Sequence, residues 1–218
     1  MKIKLIITYV VLFSFITGCV VATYRAKYNI GLKEVERPAQ AKERYGEKTI
    51  TKVQEEGIYK YYFEDEMVKF IWIPLVTEIA FIATNKTEHS IKIIWDEAAY
   101  VDENGTSHRV MHSGIKYDER NNPQPPSIIV RKGNLNDIII PTDYVYFYKL
   151  GKYSSWKTEP LFPTIPKPGA WSVETKEDFS ERTKDYIGKT FQILLPLKIE
   201  DVVNEYIFIF EIDDVLVE

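Results

Sequence analysis

The sequence has little of the chemistry on which disulfide frameworks, metal centres and thiol enzymes depend. Its 218 residues include one cysteine, Cys19, and three histidines, His89, His108 and His112. A single cysteine excludes a disulfide within the chain and any zinc site built from several thiolates. His108 and His112 stand four residues apart on a predicted strand, which separates their side chains by roughly 13 Å, too far to share one metal ion. We therefore predict no metal site.

Motifs that bind phosphate or activate a nucleophile are also missing. The chain has no Gly-x-Gly-x-x-Gly, no glycine-rich loop followed by Lys and Ser or Thr, and no Gly-x-Ser-x-Gly. These absences exclude the common nucleotide-binding loops and the hydrolase nucleophile elbow, so no cofactor is predicted. An enzyme is accordingly the minority hypothesis.

One pattern favours a glycoside-binding or glycoside-cleaving groove, because the carboxylates of Asp96 and Glu97 follow the aromatic Trp95. Adjacent residues on a strand point to opposite faces, so these two carboxylates cannot act together. The preferred alternative is that they are solvated residues at strand ends.

Aromatic residues are abundant, at 14% of the chain, and together with β-branched residues they favour strands. The predicted strands are short and are separated by turn residues, as antiparallel sheets require. They cover residues 50–53, 58–63, 67–73, 76–84, 91–101, 107–111, 127–130, 137–140, 144–148, 191–199 and 206–212. No comparable run of helices alternates with them, so the predicted fold class is all-β and antiparallel.

The N-terminal segment has a different composition from the rest of the chain. Lys2 and Lys4 precede an apolar stretch from Leu5 to Ile16. Because a transmembrane helix needs about 20 apolar residues, this stretch is better explained as a secretion signal that is removed.

The residues that end this segment, Ile16-Thr17-Gly18-Cys19, resemble the lipobox of bacterial lipoproteins. The resemblance implies that residues 1–18 are a cleaved signal peptide and that acyl chains are attached to Cys19. Ile16 stands where leucine is commonest in that motif. Two or three acyl chains hold a protein firmly on a bilayer, because each buried methylene contributes about 0.8 kcal/mol. The alternative is an uncleaved apolar anchor with a free thiol.

The mature chain is acidic. Loss of Lys2 and Lys4 leaves 26 basic and 32 acidic residues, a net charge of −6. Such a charge disfavours nucleic acid and anionic lipid as partners. The predicted partners are the membrane, through the acyl chains on Cys19, and an envelope protein or glycan.

The predicted organisation places a lipidated tether at residues 19–49 and one β domain at 50–218. The tether is predicted because opposite charges alternate there with little hydrophobic pattern. The alternative is a first strand that packs through Tyr28, Ile30 and Leu32.

A proline-rich insertion at 150–189 carries several of the aromatic residues of interest. Thr175 and Gly188 are the predicted ends of a short helix within it. We predict a ligand or partner surface formed by aromatic rings of the insertion together with one earlier ring. Its members are Trp156, Phe162, Trp171 and Trp95, and Tyr153 is a further ring that the insertion could present to a partner. The alternative, that these rings cover one end of the sheet, is preferred, because a long loop needs buried side chains of its own.

The strand pattern resembles the immunoglobulin-like sandwiches of exported bacterial proteins, with residues 85–87 as a connecting loop and Trp95 on the following strand. This chain lacks the cysteine pair that joins the two sheets of antibody domains. The resemblance implies two packed antiparallel sheets and no particular ligand.

These observations predict a membrane-anchored envelope lipoprotein that acts by binding or as a structural component. The rival hypothesis is a carbohydrate-binding or cell-envelope hydrolase lipoprotein. Val20, rather than an aspartate, follows Cys19. By resemblance to lipoproteins of double-membrane bacteria, this favours the outer membrane, facing the periplasm; in a cell with one membrane the domain faces outward.

Overall fold

A computed structural model describes residues 24–38, 41–55, 57–165 and 174–218. The chain is mostly β-strand, and every strand pair is antiparallel. The strands are β1 (Ala26–Glu36), β2 (Thr49–Glu55), β3 (Ile58–Glu64), β4 (Val68–Pro74), β5 (Ile79–Asn85), β6 (Ile91–Ile93), β7 (Ala99–Val101), β8 (Ser107–Met111), β9 (Ser127–Ile129), β10 (Asn134–Pro141), β11 (Val145–Tyr148), β12 (Ser155–Thr158), β13 (Thr190–Ile199) and β14 (Val202–Val217). Two helices, α1 (Ala41–Tyr45) and α2 (Lys176–Thr183), and four short 3₁₀ turns complete the described elements. Within these ranges no helix is long and apolar enough to cross a membrane.

In the described part of the chain, twelve strands form one large sheet, and β11 and β12 form a separate two-stranded sheet. The path through the large sheet runs β1-β14-β13-β7-β8-β10-β5-β4-β3-β2, with β6 and β9 paired alongside. Its two end strands approach each other, and side chains bridge the gap between them. Lys52 Nζ on β2 donates to Asn29 Oδ1 on β1 and to Asp213 Oδ2 on β14, each at 3.1 Å. The sheet is therefore nearly closed.

Aromatic side chains fill the interior between the two halves of the sheet. Phe208 on β14 contacts Phe63, Phe70 and Trp72 on the facing strands, with ring centroids 4.7 to 5.5 Å apart. All four residues are fully buried. Each such ring pair contributes about 0.5–1.5 kcal/mol beyond the free energy of burying its area. The antiparallel all-β prediction is confirmed at this level.

A polar cluster lies at one end of the sheet. The buried Asp65 carboxylate accepts hydrogen bonds from Arg37 Nη1 at 3.2 Å and from the Tyr206 hydroxyl at 3.1 Å. Its other oxygen accepts from the backbone amides of Met67 and Val68. These bonds join the end of β1, the β3–β4 turn and β14. We refer to Arg37, Asp65 and Tyr206 as the polar cluster.

The prediction of a tether was wrong for Ala26–Glu36, which form β1. This strand pairs with β14 along its length, and Ile30, Leu32 and Val35 are buried. The alternative of a first strand packed on the core is therefore confirmed for these residues. Only one face of β1 is buried, so its other face carries charged residues. These charges made the segment resemble a tether in the sequence. The predicted cleavage site lies outside the described residues.

The predicted strand at 91–101 is two strands, β6 and β7, separated by a 3₁₀ turn at Trp95–Glu97. Trp95 was predicted to lie on a strand, but it lies in this turn. The break allows β6 and β7 to pair with different parts of β13. At the other extreme, β14 runs for 16 residues, well beyond the predicted strand at 206–212.

The insertion was predicted to contain a helix and no strand. The helix is confirmed: α2 starts after a capping box in which the Thr175 side chain accepts from the Asp178 amide and Asp178 accepts from the Thr175 amide. Gly188, at φ +84°, follows the 3₁₀ turn that continues the helix. The prediction that the insertion contains no strand was wrong, because β12 lies within it and pairs with β11.

Candidate binding surface

A short hairpin carries the most exposed cluster of aromatic side chains near the insertion. It consists of β11, β12 and the tip between them, residues 149–154, and we call it the aromatic hairpin. Tyr146, Phe147 and Tyr148 are 41%, 44% and 46% exposed, and Leu150 and Tyr153 at the tip are 54% and 67% exposed. Exposed apolar groups that lie together are typical of binding surfaces.

Cross-strand pairing gives the hairpin two different faces. Phe147 lies opposite Trp156, and Tyr146 lies opposite Lys157. Residues directly opposite in an antiparallel pair point to the same face. One face is therefore built on Phe147 and Trp156, and the other presents Tyr146, Tyr148 and Lys157 to solvent.

Trp156 fixes the hairpin to the body of the protein. Its ring centroid lies 5.4 Å from that of Phe147 and 6.0 Å from that of Tyr117, and the Arg120 guanidinium lies 5.1 Å from it. Arg120 is held in turn, because Nη1 donates to the Tyr117 carbonyl and Nε to the Thr142 carbonyl. The predicted surface residue Trp156 is thus partly buried, and it supports the exposed rings beside it.

The tip is closed by a tight turn. Gly151 has φ +51°, a left-handed conformation that glycine adopts without strain. Ser154 Oγ accepts from the Leu150 amide at 2.9 Å and donates to the Gly151 carbonyl at 2.7 Å. The turn therefore holds Leu150 and Tyr153 in place through its own hydrogen bonds.

The hairpin has a local charge opposite to that of the whole chain. Residues 145–158 include Lys149, Lys152 and Lys157 and no acidic residue. All three lysines are exposed, and none forms an ion pair with a carboxylate in the described ranges. Lys152 Nζ lies 5.1 Å from the centre of the Tyr153 ring.

Acidic residues surround the base of the hairpin. His108 lies between two carboxylates, with Nδ1 2.7 Å from Asp143 Oδ2 and Nε2 3.4 Å from Asp102 Oδ2. The pKa of the neighbouring Tyr144 is raised to about 12, mainly by burial and to a smaller extent by the charges of Asp102 and Glu103. Burial alone would raise the pKa of Asp102, but amides of the following turn and the contact with His108 lower it below its usual range.

An apolar depression of about 780 Å³ adjoins the hairpin base. It lies between the start of the described chain and the segment that follows β12, and its walls include Tyr24, Leu75, Val76, Phe162 and Phe179. The Tyr28 hydroxyl donates to the Pro163 carbonyl at 2.6 Å and ties these two segments together. The first described residues, Tyr24–Tyr28, therefore lie at the same end of the sheet as the hairpin base.

Phe162 is partly buried at this end of the protein, with part of its ring in the wall of the depression. Its ring contacts Tyr28 at 5.9 Å and Phe191 at 5.5 Å, and it packs against the core. This contact matches the alternative interpretation, in which rings of the insertion cover an end of the sheet.

The prediction that Trp95 contributes to a ligand surface was wrong. Trp95 is completely buried, its indole nitrogen donates to Ser127 Oγ at 2.8 Å, and its ring stacks on His112 at 4.3 Å. The 3₁₀ turn points the ring into the core, so no ligand can reach it.

The carboxylate of Asp96 also has a structural contact. It accepts from Arg109 Nη2 at 2.7 Å and from the Gln124 amide at 3.1 Å. Arg109 donates in addition to the carbonyls of Asn121 and Asn122, so this ion pair fixes the loop at residues 121–126. Asp96 is thereby engaged in a contact that organises a loop.

The histidines are dispersed. His89 pairs with Glu200 at 2.8 Å, and His112 Nδ1 lies 3.2 Å from Asp137 Oδ2. In the described ranges no three His, Cys, Asp or Glu side chains are grouped so as to hold a metal ion.

Several predicted residues lie outside the described residues: Cys19, the lipobox residues Ile16, Thr17 and Gly18, and the aromatic Trp171. Tyr153 was predicted as a ring that could contact a partner, but the turn at the tip was not predicted, although Gly151 beside Lys152 is a turn signal.

A comparison with protein-family models and searches of curated proteins and of solved structures found no match to this chain.

Proposed function

We propose that this protein is a bacterial envelope lipoprotein, held on the membrane by acyl chains on Cys19 after removal of residues 1–18, and that it acts by binding rather than by catalysis. The observation that carries this proposal is the exposed aromatic hairpin, whose base adjoins the start of the described chain. Tyr28 and Pro163 are hydrogen bonded there. The base of the candidate surface and the segment that follows the proposed anchor therefore lie at one end of the protein.

Chain length supports a membrane role for that end. Four residues separate Cys19 from Tyr24, and the five Cα–Cα steps between them span at most about 18 Å. An acylated Cys19 thus keeps the start of β1 close to the bilayer. The domain faces the periplasm from the outer membrane of a double-membrane cell, or outward from the membrane of a single-membrane cell.

The test of the anchor is the intact mass of the protein extracted from membranes. We expect a chain that begins at Cys19 and carries acyl groups. The Cys19→Ala variant is the control, and it should retain residues 1–18 and carry no lipid. An unprocessed wild-type chain would contradict the proposal.

The contacts of Asp96 support binding over hydrolysis, because its carboxylate is already engaged by Arg109 and by the Gln124 amide. A catalytic pair of carboxylates needs both groups directed at the scissile bond.

A glycan is a second candidate ligand, favoured by the exposed rings of Tyr146 and Tyr148 on one face of the hairpin. Binding to peptidoglycan and to soluble polysaccharides tests it. Replacing both tyrosines with alanine should abolish saturable binding, whereas Tyr59→Ala, at an exposed aromatic on β3, should leave it intact. An absence of wild-type binding would exclude this candidate.

We also propose that the strands form an immunoglobulin-like sandwich. The ring contacts between β3, β4 and β14 support two packed halves. The consecutive strands β2, β3, β4 and β5 lie side by side in the sheet. Superposition of an experimental structure on immunoglobulin-like domains tests whether this strand order is compatible with that family.

A further inference from the structure

We propose that the tip of the aromatic hairpin docks on the anionic headgroups of the bilayer that holds the acylated Cys19. This inference rests on the proposed function, because it requires the domain to be anchored near a membrane. It names the ligand class of the candidate surface as an anionic lipid interface. The domain would then have two attachments, a covalent one at its first residue and a reversible one at the hairpin.

The first support is local charge. The mature chain has a net charge of −6, which by itself predicts repulsion from anionic lipid. The hairpin reverses that sign, with three exposed lysines and no acidic residue between Val145 and Thr158. Each lysine near an anionic surface strengthens binding about fivefold.

The second support is the distance between opposite charges. The acidic residues Asp143 and Glu159 flank the base, where the Glu159 amide donates to the Tyr144 carbonyl. Four strand residues, at about 3.4 Å each, place the tip roughly 14 Å beyond Tyr144. Physiological salt screens charges over about 8 Å. A surface that contacts Lys149 and Lys152 is therefore largely screened from the acidic base.

The third support is the kind of side chain at the tip. Leu150 and Tyr153 are the most exposed apolar residues of the hairpin, and they alternate with Lys149 and Lys152. Tyrosine and lysine together are typical of the membrane interface, because the ring or aliphatic stem lies at the headgroup level while the polar group stays in water.

The fourth support distinguishes lipid from a ligand bound by directional hydrogen bonds. A pocket for such a ligand places a few fixed polar groups to orient it. At the tip, the Ser154 hydroxyl is engaged by Leu150 and Gly151. The lysines and the Tyr153 hydroxyl remain, and they lie on exposed side chains. Such a surface suits a fluid array of charged headgroups.

The test uses the acylated mature protein, which begins at Cys19, reconstituted in vesicles with an environment-sensitive fluorophore attached at Tyr153→Cys. The thiol introduced there is the only free one, since Cys19 carries acyl groups on sulfur in the proposed form. A matched probe at Val130→Cys, an exposed residue near the opposite end of the sheet, controls for general effects. Vesicles of phosphatidylcholine alone are compared with vesicles that contain phosphatidylglycerol.

We expect a blue-shifted, brighter emission at position 153 with phosphatidylglycerol and no change at position 130. Replacing Lys149, Lys152 and Lys157 with glutamine should lower the docking equilibrium constant on the order of 100-fold. The same replacement at Lys69, Lys92 and Lys198 should leave docking at the tip unchanged.

Flotation and intact mass separate the two proposals. Acylated protein that floats with both vesicle types but gives no change at position 153 would overturn docking and leave the anchor intact. Equal changes at positions 153 and 130, or equal changes with both lipids, would also overturn docking. Protein without acyl groups would overturn the anchor.

Discussion

The polar cluster and the aromatic hairpin differ in which groups they bury: the polar cluster buries charged side chains, and the hairpin exposes apolar ones. At the polar cluster, the side chains of Asp65 and Arg37 are 0% and 9% exposed and are hydrogen bonded to each other. At the aromatic hairpin, Tyr153 is 67% exposed and Lys149 has no ion-pair partner in the described ranges. A buried charge requires an internal partner, whereas exposed apolar groups gain free energy only when something outside covers them. The first end therefore contributes stability, and the second end is suited to binding.

The largest expected effect is at the polar cluster. Asp65→Ala leaves the buried Arg37 charge with the Gly46 carbonyl but without its carboxylate partner, and it removes the acceptor for the Met67 and Val68 amides. We expect the free energy of unfolding to fall by about 3–5 kcal/mol, measured by chemical denaturation. Asp65→Asn, which keeps an oxygen for the two amides, should cost less. A loss below about 1 kcal/mol for the alanine variant would show that this end is not locked as described.

A smaller effect is expected where the hairpin joins the body. Trp156→Ala removes a partly buried ring that contacts Phe147, Tyr117 and Arg120. We expect a loss of about 1–2 kcal/mol in thermal unfolding, since only part of the ring area is buried. Trp156→Phe keeps a ring and should recover most of that loss. An alanine variant as stable as the wild type would mean that the hairpin is not fixed by this contact.

At the tip itself, stability and binding should separate. Tyr153→Ser changes a side chain that is mostly in solvent, so we expect the free energy of unfolding to stay within about 0.5 kcal/mol of wild type. The same variant should bind vesicles containing phosphatidylglycerol more weakly, as measured by protection of the hairpin amides. A destabilised Tyr153→Ser protein would place the ring in the core and weaken the contrast between the two ends.

At neutral pH the smallest effect belongs to Tyr144. Because burial and nearby carboxylates raise its pKa to about 12, the folded state favours the neutral phenol. That contribution to stability is fully present below pH 10, the ordinary value for tyrosine, and is lost as the pH rises through about 12. Absorbance titration of wild type and Tyr144→Phe should differ by one tyrosine that ionises near pH 12. A difference near pH 10 would contradict the acidic surroundings described for the hairpin base.

Strands that have turn residues at both ends could be predicted from the sequence. The strands at β2, β3, β4, β8 and β13 lie within a few residues of their predicted positions, because period-two alternation and turn residues act locally. The cap of α2 was equally local: Thr175 and Asp178 stand three residues apart.

Features that depend on distant partners were harder to predict. The strand β1 is held by β14, nearly 180 residues later, and the charges on its exposed face concealed it. The turn at Trp95 depends on how β6 and β7 meet β13. The hairpin surface was only partly anticipated: Tyr153 and Trp156 were predicted, but the pairing of β11 with β12 and the exposure of Leu150 depend on the three-dimensional structure.

Hydrogen exchange of the acylated protein tests the division between the two ends most directly. Exchange is compared between detergent and vesicles that contain phosphatidylglycerol, with phosphatidylcholine vesicles as the control. We predict that hydrogen exchange at the amides of residues 145–158 becomes slower only on the anionic vesicles. Amides around Arg37 and Asp65 should exchange slowly in every condition. Protection that appears at the polar cluster on binding, or hairpin amides that do not respond to anionic lipid, would contradict the account.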